Sequence, residues 1–154
     1  MKVGIVGSGA DKFTEYGEQQ ARICIIGILV DAMVETQAEV TMISGHSPMG
    51  GVDVWAEEEA VMCGAALDLK IPEVNQWNPE GYGYRARNLD IAHESDVVHV
   101  IVVDEYPPDY AGRRFPICYH CHDTTHVKSG GCWTGKHANI AVWHVIPNDP
   151  QGSR

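Results

Sequence analysis

Two patterns of apolar positions alternate along the chain. Short unbroken apolar runs, as buried strands carry, are separated by longer stretches in which apolar residues recur every three or four positions, as on the packed face of a helix. Residues 3–6, 40–43, 67–71, 97–103 and 141–146 predict five strands, the fourth being richest in β-branched residues. Residues 14 to about 37 predict a long helix, with Ile26, Leu29, Val30 and Met33 on one face by their spacing. Further helices are predicted over 52–63, 85–93 and, briefly, 134–139. Strands separated mostly by helices imply right-handed crossovers and a mainly parallel sheet of about five strands, an α/β fold.

With 154 residues, of which 44% are hydrophobic, the chain suits one domain over 1–154 with its own core. No internal repeat or low-complexity linker divides it, and the irregular segment 105–132 reads as an insertion. The formal charge of −10 argues against a duplex nucleic-acid surface, which needs a basic face. A local site for a small anion is still compatible with an acidic chain. No stretch resembles a signal peptide, and no apolar run approaches the roughly 20 residues of a membrane helix. The odd count of five cysteines, without a secretory signal, fits a reduced cytoplasmic protein better than a disulfide framework.

Glycine-rich loops follow the predicted strands and open helices. The first strand runs into Gly7-Ser8-Gly9, and the second into Gly45-His46-Ser47-Pro48-Met49-Gly50-Gly51-Val52-Asp53. Glycines let a backbone approach a phosphate, and a helix start offers unpaired N–H groups. The alternative is a plain strand-to-helix turn. The second loop lacks the Gly-Lys-Ser/Thr ending of a Walker loop. Arg85-Ala86-Arg87-Asn88 sets cations at a helix start, where the dipole disfavours them unless an anion binds; the alternative is a solvated arginine paired with Asp90 or Glu94. Lys128-Ser129-Gly130-Gly131-Cys132-Trp133-Thr134 repeats the glycine-plus-hydroxyl theme after the strongest strand. In a parallel sheet such loops converge on the C-terminal strand edge. Asp53 could meet ribose hydroxyls or merely favour its helix start. Trp77, Tyr82, Tyr84 and Trp133 could stack on a base or pack internally. Glu57, Glu58 and Glu59 read as a solvated helix face, and His99 as a satisfied core residue.

The run Gly45 to Asp53, with Ala56, Ala60, Trp77, Gly83, Arg87-Asn88 and Asp96, resembles the SLOG superfamily, in its branch of small stand-alone Rossmann-like proteins. The resemblance covers residues 1 to about 103 and resumes over 129–138. It implies a Rossmann-like three-layer fold and a nucleotide or nucleotide-derived ligand held by Gly45, Gly50, Gly51, Arg87, Asn88, Ser129, Gly130 and Thr134. With the neighbouring loops, Gly7, Ser8, Asp53 and Gly131 complete the expected site. The superfamily includes cytokinin-activating phosphoribohydrolases, DNA-processing proteins and sensors of nucleotide signals. This chain lacks the Pro-Gly-Gly-x-Gly-Thr-x-x-Glu motif of the hydrolases.

Cys118-x2-Cys121-x4-His126-x5-Cys132 carries the thiolates and imidazole that tetrahedral zinc prefers, spaced like a zinc knuckle with one extra residue. His120 and His122 are rival ligands, and a polar insertion without metal is the bland alternative. The hook opens no predicted helix, which disfavours a redox Cys-x2-Cys pair. Three functions follow as expectations. The chain binds a nucleotide-derived small molecule as sensor, carrier or sequesterer; or it hydrolyses a nucleotide N-glycosidic bond with Asp53, Glu57 or Asp104; or it is a zinc-stabilised module for single-stranded nucleic acid, against which the charge counts. No membrane or duplex partner is expected, and a homodimer is compatible with this reading.

Overall fold

The computed structural model describes residues 1–151. Five parallel strands form one sheet in the order β3-β2-β1-β4-β5: β1 (Lys2–Gly7), β2 (Thr41–Ser44), β3 (Ala66–Leu69), β4 (Val97–Val103) and β5 (Ala141–Ile146). Helices α1 (Glu15–Thr36), α2 (Val52–Cys63), α3 (Tyr84–Glu94) and α4 (Gly131–His137) join them, making a Rossmann-like three-layer α/β fold. Alternate strand residues point to opposite faces. Val3, Ile5, Met42, Ile101, Val103 and Ile146 therefore pack with α1 and α2. Val6, Ile43, Val98, Val100 and Val102 pack on the other face, with Ile91 of α3 and Cys132 of α4. The strand order reverses between β1 and β4, where the loops after the two strands diverge and leave a crevice.

Element existence agrees with the hydrophobic pattern; the differences are local. α4 begins at Gly131, three positions before the expected start, so Cys132, Trp133 and Thr134 are helical. In α1 the expected face is only partly right. Leu29 is buried and Met33 partly so, but Ile26 and Val30 are 39% and 43% exposed. The buried line is Gly17, Ala21, Ile25, Ile28, Leu29 and Ala32. The middle of this helix is apolar nearly all round, so spacing alone fitted more than one face.

Thr14 caps α1, its hydroxyl accepting the Gly17 N–H at 2.9 Å, and is itself tied to Asn148 beyond β5. The Asn148 amide also donates to the carbonyls of Lys12 and Glu105, both at 2.8 Å. This one side chain thus links the segments following β1, β4 and β5 just beyond the C-terminal strand edge.

Gly51 precedes α2 with φ 77° and ψ −143°, a conformation that side chains other than hydrogen rarely adopt. A Cβ there would lie 2.5 Å from the Ala10 nitrogen and against the Ser8 carbonyl. Gly130, with ordinary helical dihedrals, has open space where its Cβ would be. Gly51→Ala is therefore expected to lose about 2–4 kcal/mol of stability, from backbone strain and collision together. Gly130→Ala should stay within about 0.5 kcal/mol of the parent. Urea unfolding of both variants checks this, and equal losses would contradict it.

Candidate functional site

A cleft of about 330 Å3 opens at the crevice between the β1 and β4 loops. Its walls come from five segments near this edge. Val6, Gly7, Gly9, Asp11 and Lys12 follow β1; Ser47, Met49 and Asp53 belong to the β2–α2 connection; Arg87, Asn88 and Ile91 lie on α3; Gly130, Gly131 and Thr134 open α4; and Tyr110 reaches over from the β4–α4 connection. Sequence reasoning expected Gly7, Asp53, Arg87, Asn88, Gly130, Gly131 and Thr134 here, and the fold brings them together.

Ser8, Gly45, Gly50, Gly51 and Ser129 stand behind the walls instead. Gly51 backs onto Ser8 and Ala10, and Gly50 (φ 67°) sits close to Ala10. Gly45 makes room for Arg87, whose Nη1 would lie 2.7 Å from a Cβ there and donates to the Gly45 carbonyl. The Ser129 hydroxyl accepts the Gly131 N–H at 3.2 Å, and Ser8 is buried with its hydroxyl unpartnered. These residues shape the walls rather than face the cleft. Lys12 and Tyr110 were not singled out in the sequence, and Met49 only as part of the second glycine loop. A lysine after a strand and a tyrosine in an irregular segment carry no local signal, and only the chain path sets them at this edge.

Four charged groups share the cleft. The Arg87 guanidinium is lowered by burial, with Asp53 opposing, and it donates to neutral acceptors, the Gly45 carbonyl and the Asn88 side chain. Asp90 and Glu94 are otherwise engaged, with Tyr82 at 2.6 Å and Lys70 at 2.9 Å, so neither takes the arginine. Lys12 donates to the Lys128 carbonyl at 2.7 Å, and its ammonium is lowered first by burial and then by Lys128. Burial pushes the Asp53 carboxyl up to about 6, against the pull of Arg87 and of the Ser47 N–H. Asp11 is the fourth group.

Beside Ser47, Glu57 is buried, not solvated as its sequence context suggested. Its carboxylate accepts from Ser44 Oγ at 2.8 Å and meets His46 Nδ1 at 2.7 Å. Glu58 does face outward, Glu59 is half-buried, and both pair with Arg22. A carboxylate on Nδ1 fixes the imidazole tautomer and leaves Nε2 able to accept a proton. His46 holds this place with a left-handed backbone, φ 49°. Asp104 is occupied by the Asn148 N–H at 3.0 Å. His99 is half-buried rather than core; it bonds His144 at 2.9 Å, and burial lowers it to about 4. The aromatic residues considered for base stacking pack elsewhere. Trp77 meets Trp133 edge-on, Tyr84 lies under Arg87, and the Tyr82 hydroxyl goes to Asp90.

Cys118, Cys121, His126 and Cys132 converge so that their four ligand atoms lie within 4.8 Å of one another, a cluster able to hold a metal ion. His126, not His120 or His122, is the imidazole of this set. Its Nδ1 donates to the Val127 carbonyl at 2.8 Å, which leaves Nε2 toward the sulfurs, 3.2 Å from Cys121 and 3.9 Å from Cys132. Burial opposes a Cys118 thiolate, yet N–H groups of Ser129, Cys121 and His120 outweigh it and hold the thiol below its ordinary value. Burial raises Cys132, whose sulfur accepts the Trp143 indole N–H at 3.4 Å. Cys132 lies in α4 between Gly131 and Thr134, so cluster and cleft share one helix.

Among the described residues no helix is long and apolar enough to cross a membrane. Comparison with protein-family models, with curated proteins and with solved structures found no match.

The raised Asp53 carboxyl has a consequence for stability. The folded protein holds this proton more tightly than the unfolded chain, whose carboxyl titrates near 3.8. The stabilisation is therefore complete below that value and is lost as pH rises through about 6. Two units correspond to about 2–3 kcal/mol. Asp53→Asn should be more stable than the parent near neutral pH, and the difference should shrink on acidification. Urea unfolding at about pH 4.5 and about pH 7 tests this; a pH-independent difference would count against a buried, strained carboxylate.

Proposed function

We propose that the cleft binds a small phosphate-bearing ligand of nucleotide type, and that the chain acts as a sensor, carrier or sequesterer of it. The carrying observation is the pair Lys12 and Arg87, partly buried cations hydrogen-bonded to uncharged oxygens on the walls of a glycine-lined cleft. Desolvated cations gain most from an anion that restores the lost solvation, and arginine with backbone N–H groups suits phosphate. The position at the strand-order reversal is where open parallel sheets bind ligands. The volume lies at the lower end of the range for ligand pockets, about 300–1,000 Å3, which favours a mononucleotide over a dinucleotide. Tyr110 is the aromatic ring at the cleft and supplies a face for a base. The resemblance of the Gly45–Asp53 and Arg87-Asn88 runs to SLOG proteins points the same way.

Titration calorimetry with the common nucleoside monophosphates and with inorganic phosphate is the direct test. Binding of a monophosphate is expected, weakened about tenfold or more in Arg87→Lys, which cannot reproduce the guanidinium fork, and in Lys12→Met. Absence of binding by any of these at millimolar concentration would overturn the reading.

A second reading, hydrolysis of the ligand's N-glycosidic bond, is favoured by the elevated Asp53 in the cleft and by the Glu57–His46 pair that adjoins Ser47 in the chain. Release of free base from a bound monophosphate, followed by chromatography, separates the two readings.

The metal of the cysteine cluster is, on this proposal, zinc in a structural role. Three thiolates and one imidazole are a common closed tetrahedral set, leaving no position for a reacting water. Tetrahedral bonds of about 2.3 Å separate sulfur ligands by roughly 3.8 Å, so the observed set needs only slight closure. Through Cys132 and the Ser129 N–H on Cys118, the ion would order the 129–134 wall before the ligand arrives. Ordering such residues costs about 1–2 kcal/mol each, so pre-ordering appears as affinity. Cys118 does not line the cleft. Cys118→Ser is accordingly expected to lose zinc in elemental analysis and to bind nucleotide about tenfold more weakly. Zinc loss with full affinity would make the ion purely structural and uncoupled, and a metal-free parent would remove the cluster's role.

A further inference from the structure

Charge is unevenly spread along this acidic chain. Between residues 110 and 137 lie four of the 11 basic residues, Arg113, Arg114, Lys128 and Lys136, and one of the 21 acidic ones, Asp123. The fold adds Lys12 to the two lysines, because its ammonium donates to the Lys128 carbonyl at 2.7 Å. Lys136, on the last turn of α4, donates to the His120 carbonyl at 2.8 Å. Lys128 lies over the rings of Phe115 and Tyr119, 5.4 and 5.2 Å from their centroids, and the His120 ring packs on Tyr119 at 4.4 Å. His120 is the meeting point: after burial, the charges of Lys128, Lys12 and Lys136 act on its imidazole. Neutral carbonyls and ring faces hold these side chains without cancelling their charge. Asp11 beside Lys12 offsets part of it, and Asp123 turns to the Thr125 N–H at 2.8 Å. Ammonium groups gathered with so little counter-charge repel one another, and an anion among them relieves that repulsion.

We propose that Lys12, Lys128 and Lys136 form a second anion subsite at the mouth of the cleft, and that the ligand is therefore a nucleotide carrying more than one phosphate. This rests on the reading of the cleft as a phosphate site and extends it. Lys12 is the link, since it lines the cleft and is bonded to Lys128, which does not. A cleft of about 330 Å3 has room for a mononucleotide, so further phosphates lie at its mouth, where the lysines are. The residue type suits this task. An ammonium is a compact charge with rotatable donors, which a flexible phosphate chain can meet from any side, whereas the guanidinium fork of Arg87 fixes one group in one plane. Local positive charge in a protein that is negative elsewhere also concentrates a polyanion at this edge rather than over the whole surface.

Titration calorimetry at fixed salt, without added divalent cations, compares a nucleoside monophosphate with its triphosphate, with a nucleoside bisphosphate and with inorganic triphosphate. The parent is expected to bind the nucleoside triphosphate about tenfold or more tighter than the monophosphate. Lys128→Met and Lys136→Met should each remove most of that gain and leave monophosphate binding unchanged. Lys2→Met, at the other end of β1, controls for net charge and should alter neither. Lys136 is exposed, so its variant carries the test if Lys128→Met folds poorly. A lysine-dependent gain for the bisphosphate and not the triphosphate supports the subsite and puts the second phosphate on the ribose. Equal affinity for all the nucleotides, or a gain that survives in the double variant, overturns it. If no monophosphate binds, the cleft reading falls by itself and inorganic triphosphate decides the subsite. Binding weakened in Lys128→Met and Lys136→Met but kept in Arg87→Lys upholds the subsite, and absence of binding removes it as well.

Discussion

Backbone contact among the loops at the C-terminal edge of the sheet governs the rest of the molecule. The β1 loop is gripped from two sides. Gly131 at the start of α4 meets Gly7, with a hypothetical Cβ only 2.9 Å from the Gly7 nitrogen. Gly51 meets Ser8 and Ala10 from the other side. Any side chain at these points would push the loops apart. With hydrogen there, α2 and α4 start close to the end of β1, and the side chains they carry, Asp53 and Thr134, come to one cleft. The glycines that looked in sequence like phosphate contacts thus act first on each other. Their effect on the cleft is to bring its walls together.

Crowding the edge in this way has an electrostatic consequence. Arg87, Lys12 and Asp53 are drawn out of water, and each shifts toward its neutral form. None finds a full counter-charge network comparable to the exposed Arg22 cluster. A site so arranged is less stable than it would be with apolar walls, which is the usual condition of a binding site. The proposed anionic ligand would relieve it. The cysteine–histidine cluster bears on the same wall from behind, because the Ser129 N–H and the Cys132 side chain belong to the segment that also supplies Gly130, Gly131 and Thr134.

α1 shows where local pattern loses its power. An amphipathic helix announces its buried face by contrast with its polar one. From Ile23 to Val34 that contrast is absent, and only packing against β1, β4 and β5 distinguishes Ile25 and Ile28 from Ile26 and Val30. Glu57 is the converse case. A run of three glutamates looks solvated, yet Glu57 turns inward onto Ser44 and His46, Glu59 is half-buried against Arg22, and Glu58 is the one that stays outside.

Legible along the chain were the strand and helix succession, the parallel character of the sheet, the convergence of glycine loops on one edge, and Cys118, Cys121 and Cys132 as metal-ligand candidates with His126 set against His120 and His122. All of these rest on short-range regularities: unbroken apolar runs, period-3.6 hydrophobicity, glycine after strands, and ligand types at close spacing. Tertiary structure alone decided which residues face the cleft and which stand behind it. It turned Ser8, Gly50 and Gly51 into wall supports, brought in Lys12 and Tyr110 from segments without any motif, and chose His126 over His120 and His122. It also tied the aromatic residues into packing and the Glu57 carboxylate into a pair with His46. Those outcomes depend on side-chain direction and on contacts between residues far apart in the chain, and spacing along the chain carries no information about either.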